Sequence, residues 1–408
     1  MANTLNLGTN GNWATKKDSL LGYNSENGNF KPLPFDFTRA SSATVVNKDG
    51  LIETVGSGQP RIDFLGNTQG ALKLEPQRTN LFTYSEDISN SFWTKDNISI
   101  TNNSIVSPDG LQTADKLVEN TSNSKHRFFN NNFGLTSGSV SLSCFAKAGE
   151  RDKLAFSEGV GGNGIKVNLT DGTFTLLQSA TGGVDFIGNG WYHIYFSYTV
   201  SSFVQTRAAI LKDDVETYQG DGLSGLYVWG LQQEVGSYPT SYIPTQGSAV
   251  TRLADVCIQT VPDGIVNEDE MTLYCEFEYL GSGDTIPISV HNGSSSVIWL
   301  AINNNLTIYG ANYYSGVFNG SATSTTVLLP NTKYKVAYRT KGGDSVLYID
   351  GILEASSNDA ISNPNTLNKV ELGSHWNGAN QNPNLKIIDA KCYNSGLSNA
   401  QLQALTKI

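Results

Sequence analysis

Charge is scarce in this sequence. Asp, Glu, Lys and Arg together make up only 16% of 408 residues. The charge that is present leans acidic, 37 Asp and Glu against 27 Lys and Arg, for a formal net charge of -10. A chain that wraps nucleic acid needs a basic face, and this composition excludes one as its main surface. Cysteine is equally sparse: Cys144, Cys257, Cys275 and Cys392 stand far apart, with no CxxC and no Cys/His cluster, which excludes a zinc finger or ribbon. Cys144, Cys275 and Cys392 sit among alternating apolar residues, as small core side chains do; a disulfide between two of them is the alternative. His126, His193, His291 and His375 show no metal-like spacing. No run approaches the roughly 18 apolar residues of a membrane span. Residues 1–7 lack a basic region followed by an apolar one, so no secretion signal is expected. A heptad repeat is missing, which leaves no coiled coil to hold an oligomer. GxSxG and phosphate-cradling loops are missing too; GVGGNG at 159–164 lies between candidate strands and reads as a hairpin or long loop.

What is abundant is turn chemistry. Glycine occurs 41 times, and Asn, Ser and Thr crowd the boundaries between short apolar stretches. That is the profile of an all-β protein with many short strands rather than of a helical enzyme. The organising stretch is 226–255, LYVWGLQQEVGSYPTSYIPTQGSAVTRLAD. It opens as an apolar strand, then Tyr238-Pro239 and Ile243-Pro244 forbid a helix and hold the chain extended toward Arg252 and Asp255. Before it, candidate strands at 113–118, 139–146, 153–158, 164–169, 173–178, 184–187, 191–198, 208–211 and 226–231 make a jelly-roll-like sandwich. In the 191–198 strand Tyr192, Ile194, Phe196 and Tyr198 form the core face. After it, candidate strands at 271–279, 286–290, 296–302, 306–310, 325–329, 333–340, 345–349, 369–373 and 386–393 make a second sandwich. Ser398 with Gln401 three positions on predicts a capped helix whose Leu402 and Leu405 share a face. The expected domains are an N-terminal arm at 1–34, a leader of short strands at 35–95, a jelly roll at 96–255, a linker at 256–270 and a second sandwich at 271–408. In the leader, alternation places Ile62, Phe64, Leu72 and Leu74 inward. Arg39, Arg61 and Arg78 read as partners of carboxylates or backbone carbonyls.

Several long sequence words carry a resemblance. Phe37-Thr38-Arg39-Ala40-Ser41-Ser42-Ala43-Thr44, Asn47-Lys48-Asp49-Gly50-Leu51-Ile52-Glu53, Pro60-Arg61-Ile62-Asp63-Phe64 and Leu74-Glu75-Pro76-Gln77-Arg78-Thr79-Asn80-Leu81 occur in order, followed by the 226–255 stretch. Over roughly 35–255 the chain resembles tailed-phage virion structural proteins, of the head- or tail-fibre kind, that contain a carbohydrate-binding-module-like domain. Residues 270–408 resemble laminin-G/concanavalin-like sandwich domains, most clearly in the last strand and closing helix. The resemblance implies a virion location reached by lysis, partners among other capsid or tail proteins, a homotrimer and a host surface glycan as ligand. It implies neither nucleic-acid binding nor membrane insertion.

Candidate sites follow from residue type. Residues 1–34 are too polar to fold alone. They read either as a mobile tail or as an arm that attaches to a neighbouring virion protein through Trp13, Leu20 and Leu21. Glycan binding needs aromatic rings beside Asn, Gln and Asp on a rigid scaffold; the candidates are Trp299, Tyr309, Tyr313, Tyr314, His375 and Trp376. Glu276 and Glu278, two carboxylates on one face of a strand, have the spacing that glycoside hydrolysis needs. No third acid follows them at Tyr279-Leu280-Gly281, so no catalytic residue is assigned and depolymerase stands as the alternative. A capsid decoration protein with no ligand is the other alternative. No cofactor is expected; calcium is the cation that Asp213, Asp214 and Asp221 would suit, though their spacing matches no defined loop.

Overall fold

The computed structural model describes residues 4–24, 32–131, 137–159, 162–200, 205–261, 264–267, 269–281, 284–358, 367–374 and 384–408. Among them the chain is antiparallel β-structure closed by one short α-helix. It divides into two units. One comprises Met1–Lys48, Val55–Gln77 and Leu253–Ile408, and the other Asp49–Thr54 and Arg78–Arg252.

In the second of these, period-2 alternation builds a jelly-roll sandwich. Gly138–Lys147 lies between Trp191–Val200 and Gly225–Val235, and the sheet extends through Ala114–Glu119 to Ile98–Ile105 on one side and Thr181–Gly188 on the other. The facing sheet runs Thr94–Asp96, Asn123–Asn131, Gln205–Leu211, Lys153–Glu158, Gly164–Asn168, Phe174–Leu177. Leu142, Cys144, Phe156, Ile194 and Phe196 fill the space between them. The expected core face of the Trp191 strand is observed, with Tyr192, Ile194, Phe196 and Tyr198 all buried.

The other unit is also a sandwich. One sheet runs Ile352–Ser357, Asp344–Ile349, Thr332–Lys341, Glu270–Tyr279, Leu385–Tyr393. The other runs Val317–Val327, Thr307–Tyr314, Val297–Ile302, Thr285–His291, Lys369–Gly373, Val256–Thr260, Pro32–Thr38, Ser19–Asn24. Thr4–Leu7 belongs to both, pairing with Ser19–Asn24 and with Leu385–Tyr393. Ala71–Leu74 takes the remaining length of that last strand, Leu74 opposite Leu385. Tyr348 to Ile352 forms a tight hairpin: Ile349 faces Ile352, and Asp350 and Gly351 both have positive φ, 49° and 83°. The helix Asn399–Thr406 carries the full capping box of Ser398 and Gln401, and Leu402 is buried.

The N-terminal boundaries differ from those expected. Residues 4–24 are strands of the C-terminal sandwich rather than a separate arm. Their few apolar side chains suffice because the sandwich supplies the rest of the core. Leu20 is fully buried among Phe35, Leu72 and Leu273. Trp13 packs on the same core and donates its indole N–H to the Gly70 carbonyl at 3.1 Å. The expected anchors Trp13 and Leu20 are thus spent internally, and Leu21 is half-buried. Within the expected linker, Val256–Thr260 is a paired strand with Cys257 fully buried. The leader is divided, Asp49–Thr54 and the residues from Arg78 on going with the jelly roll and the rest with the other sandwich.

In the leader, Leu72 and Leu74 are buried as expected, but around Ile62 polar residues take the inward positions. Ile62 and Phe64 are half-buried, whereas Arg61 and Asp63 are fully buried. A one-residue change of register reverses which face is inside, and here charge pairing decides it. Arg61 donates to Glu75 at 2.7 Å, to the Thr44 carbonyl and to Asp255. Arg39 meets the other oxygen of Asp255 at 2.9 Å and also bonds the Ser41 and Gly56 carbonyls. Burial works against the Arg61 charge, but Asp255 and Glu75 outweigh it and raise the guanidinium pKa overall. Arg78 stacks 5.0 Å from the Tyr238 ring centroid. All four cysteines are free and buried, and burial alone pushes the Cys392 thiol up to about 12.

Candidate functional site

The strands Val297–Ile302, Thr307–Tyr314 and Val317–Val327 are neighbours, and their pairing sets a two-sided surface. Trp299 lies opposite Ala311 and Ala311 opposite Ser321, Ala301 opposite Tyr309 and Tyr309 opposite Thr323, Val297 opposite Tyr313 and Tyr313 opposite Phe318. Paired residues share a face, so these nine side chains lie on one side. On the other side Ile298, Leu300, Ile302, Ile308 and Tyr314 enter the core.

The outward rings touch. Trp299 and Tyr313 have centroids 5.2 Å apart, Trp299 and Tyr309 meet edge-on at 6.4 Å, and Tyr313 and Phe318 at 5.3 Å. Trp299, Tyr309 and Tyr313 are half-buried, and Phe318 is 53% exposed. Such contacts hold each ring in a fixed orientation while one surface still meets solvent. Burial pushes the Tyr309 hydroxyl up to about 12, with Tyr313 and Asp284 adding to the effect. Its phenol therefore remains a neutral donor across the physiological range. Gly310 places this face: a Cβ there would stand 2.1 Å from the Tyr338 ring, so only glycine lets the strand approach so closely.

Three of the expected aromatics, Trp299, Tyr309 and Tyr313, are thus brought together. Tyr314 is not with them; it follows Tyr313 directly, so strand alternation turns it inward, where it is 4% exposed. His375 and Trp376 lie outside the described residues. Phe318 was missed because its strand, Val317–Val327, is mostly Ser, Thr, Gly and Asn and shows no apolar alternation. The pair Tyr313-Tyr314 followed by Ser315-Gly316 was the usable signal, since Ser315 and Gly316 both take the positive φ of a hairpin turn, 51° and 77°.

The other candidates have local partners. Glu276 and Glu278 stand on the same face of Glu270–Tyr279, both half-buried. Glu276 accepts a long 3.4 Å bond from the Tyr274 hydroxyl, and Glu278 faces Lys386 at 3.7 Å. Asp214 pairs with Lys153 at 2.7 Å. Asp221 accepts from Leu223 N, Ser224 N and the Ser224 hydroxyl, and these bonds hold its carboxyl well below the usual range. Asp213 has positive φ in the same turn as Asp214. Among the described residues no three His, Cys, Asp or Glu side chains are arranged to hold a metal ion. His291 lies buried against Glu371 at 3.0 Å, and its Nδ1 accepts from Gly293 N.

No protein-family model matches the chain, and no curated protein matches it. Among solved structures it is similar to CBM40 of the Ruminococcus gnavus IT-sialidase bound to alpha2,3 sialyllactose: 18% identity over 35% of this chain and 84% of that one, TM-score 0.31. Domain 4 of AbnA, an extracellular arabinanase from Geobacillus stearothermophilus, in complex with arabinotriose, has 15% identity over 42% of this chain and 84% of its own, TM-score 0.30. A galectin of Caenorhabditis elegans has 10% identity over 33% and 88%, TM-score 0.25.

Proposed function

We propose that this chain is a glycan-binding β-sandwich protein of a bacteriophage particle, a head- or tail-fibre-like subunit. The observation that carries glycan binding is the fixed aromatic face of Trp299, Tyr309, Tyr313 and Phe318, bordered by Ser321 and Thr323. The C–H face of a sugar ring is flat and apolar, and a row of oriented rings receives it without reorganisation. The neighbouring hydroxyls supply hydrogen bonds to the sugar's own. Support for the particle location comes from the four sequence words between Phe37 and Leu81. Weak single-site affinity suffices in that setting, because many copies on one particle act together. Other capsid or tail proteins are the proposed partners, and a homotrimer the proposed state.

The direct experiment is binding of the purified chain to an array of host surface glycans, with Trp299→Ala beside it. We expect Trp299→Ala to weaken binding about tenfold or more, the equivalent of about 1.4 kcal/mol. Retained affinity would remove this face from consideration. Antibody labelling of intact particles tests the location, and light scattering at micromolar concentration tests the trimer. The chain is proposed not to cleave what it binds; release of reducing ends that disappears in Glu276→Gln or Glu278→Gln would instead establish a depolymerase.

A further inference from the structure

The jelly roll of Arg78–Arg252 has an opening of its own. A cavity of about 590 Å³ is bordered by Tyr84, Glu86, Asp87, Asp115, Thr245 and Gln246. Its size suits a monosaccharide or disaccharide and is far larger than a bare ion needs. Thr245 is 6% exposed. Its backbone is engaged by Ser85, which donates its hydroxyl to the Thr245 carbonyl and accepts from Thr245 N, yet the Thr245 hydroxyl has no partner among the described residues. A buried hydroxyl left in that state costs free energy unless a ligand or water meets it.

The wall is negative. Asp115, 2% exposed, is held rigidly by the backbone N–H groups of Ile88 and Asn103 at 2.9 and 3.0 Å. Among the described residues, Glu86 accepts from the Tyr242 hydroxyl at 2.8 Å through one oxygen only. Burial first, and neighbouring carboxylates after it, hold both carboxyl groups above their usual range. Lys95, whose charge acts on Asp115, points its ammonium to the Ser89 and Asn90 carbonyls. A cationic ligand would relieve this crowding of acids, and an anionic one would be repelled.

We propose that this cavity binds a hydroxyl-rich small molecule carrying a protonated amine, the chemistry of an amino sugar. The amine lies toward Glu86 and Asp115, and the hydroxyls toward Thr245 and Tyr84. This site is independent of the Trp299 face. The experiment is calorimetric titration of the full chain at neutral pH with glucosamine, glucose, glucuronate and calcium chloride separately. Glucosamine is expected to bind about tenfold or more tightly than glucose, and glucuronate not at all. Glu86→Gln and Thr245→Val, checked for unchanged melting, are expected to weaken glucosamine about tenfold each, and Trp299→Ala to leave it unchanged. Equal affinity for glucose and glucosamine, no saturable glucosamine binding, or saturable calcium binding abolished by Glu86→Gln would each overturn the assignment. Loss of glucosamine binding in Trp299→Ala alone would transfer it to the aromatic face.

Discussion

Arg39 and Asp255, 216 positions apart in the chain, meet at 2.9 Å with both side chains completely buried. The second oxygen of the same carboxylate takes Arg61, which also holds Glu75. One aspartate therefore ties together three separated segments of one unit. Removing it takes a carboxylate away from two buried guanidinium groups, Arg61 keeping Glu75, a loss of about 3–5 kcal/mol. Asp255→Asn, nearly identical in shape, should shift the first unfolding transition in urea by that amount or yield no soluble protein. A variant as stable as the parent would mean that the pair contributes nothing.

The N-terminal strands are expected to be structural. Leu20 is fully buried among Phe35, Leu72 and Leu273, so Leu20→Ala removes core volume and should cost about 2–5 kcal/mol. Thermal melting of the purified protein reads this directly. An unchanged midpoint would favour an arm that orders only on docking to another protein.

Asp63 should contribute to the acid sensitivity of the same unit. Asp63 is fully buried beside Lys73 at 3.5 Å and Lys386 at 3.3 Å. Burial opposes its ionisation, but the two ammonium groups prevail and hold its pKa below the usual value. Its stabilising contribution is therefore complete above the unfolded value of about 4 and is lost as pH falls through the folded one. Glu234, in the jelly roll, behaves oppositely: burial raises its pKa despite bonds from Thr240. Its contribution is present below the unfolded value and lost as pH rises through the folded one. Melting curves between about pH 3 and 7 should show acid destabilisation that Asp63→Asn reduces, the other carboxylates with lowered pKa carrying the remainder. If Asp63→Asn keeps the parent's slope, other carboxylates govern the response.

Gly310 gives a test of the aromatic face that spares the rings themselves. Its added Cβ would collide with the Tyr338 ring at 2.1 Å, and overpacking of this kind costs about 1–3 kcal/mol. Gly310→Ala should lower the melting temperature and weaken glycan binding together. Full binding by a destabilised protein would show that strand position does not matter to the face.

Short-range patterns were legible in the sequence. The alternation of Trp191–Val200 determined its core face, and Ser398 with Gln401 the helix start, because each depends only on side chains a few positions apart. Trp299, Tyr309 and Tyr313 could be named as aromatics on or beside strands. Their meeting on one face depended on the register of Val297–Ile302 with Thr307–Tyr314, and the addition of Phe318 on pairing with Val317–Val327, which carries almost no apolar signal. The same holds for the termini. Residues 4–24 look too polar to fold because their partners lie at 385–393. Arg61 and Asp63 look like surface charges because Glu75, Asp255, Lys73 and Lys386 are elsewhere in the chain. Local sequence determined many of the strands, but not Thr4–Leu7, Ser19–Asn24 or Val256–Thr260. Tertiary pairing decided which faces are buried, since burying a charge is tolerable only where an opposite charge arrives from a distant segment.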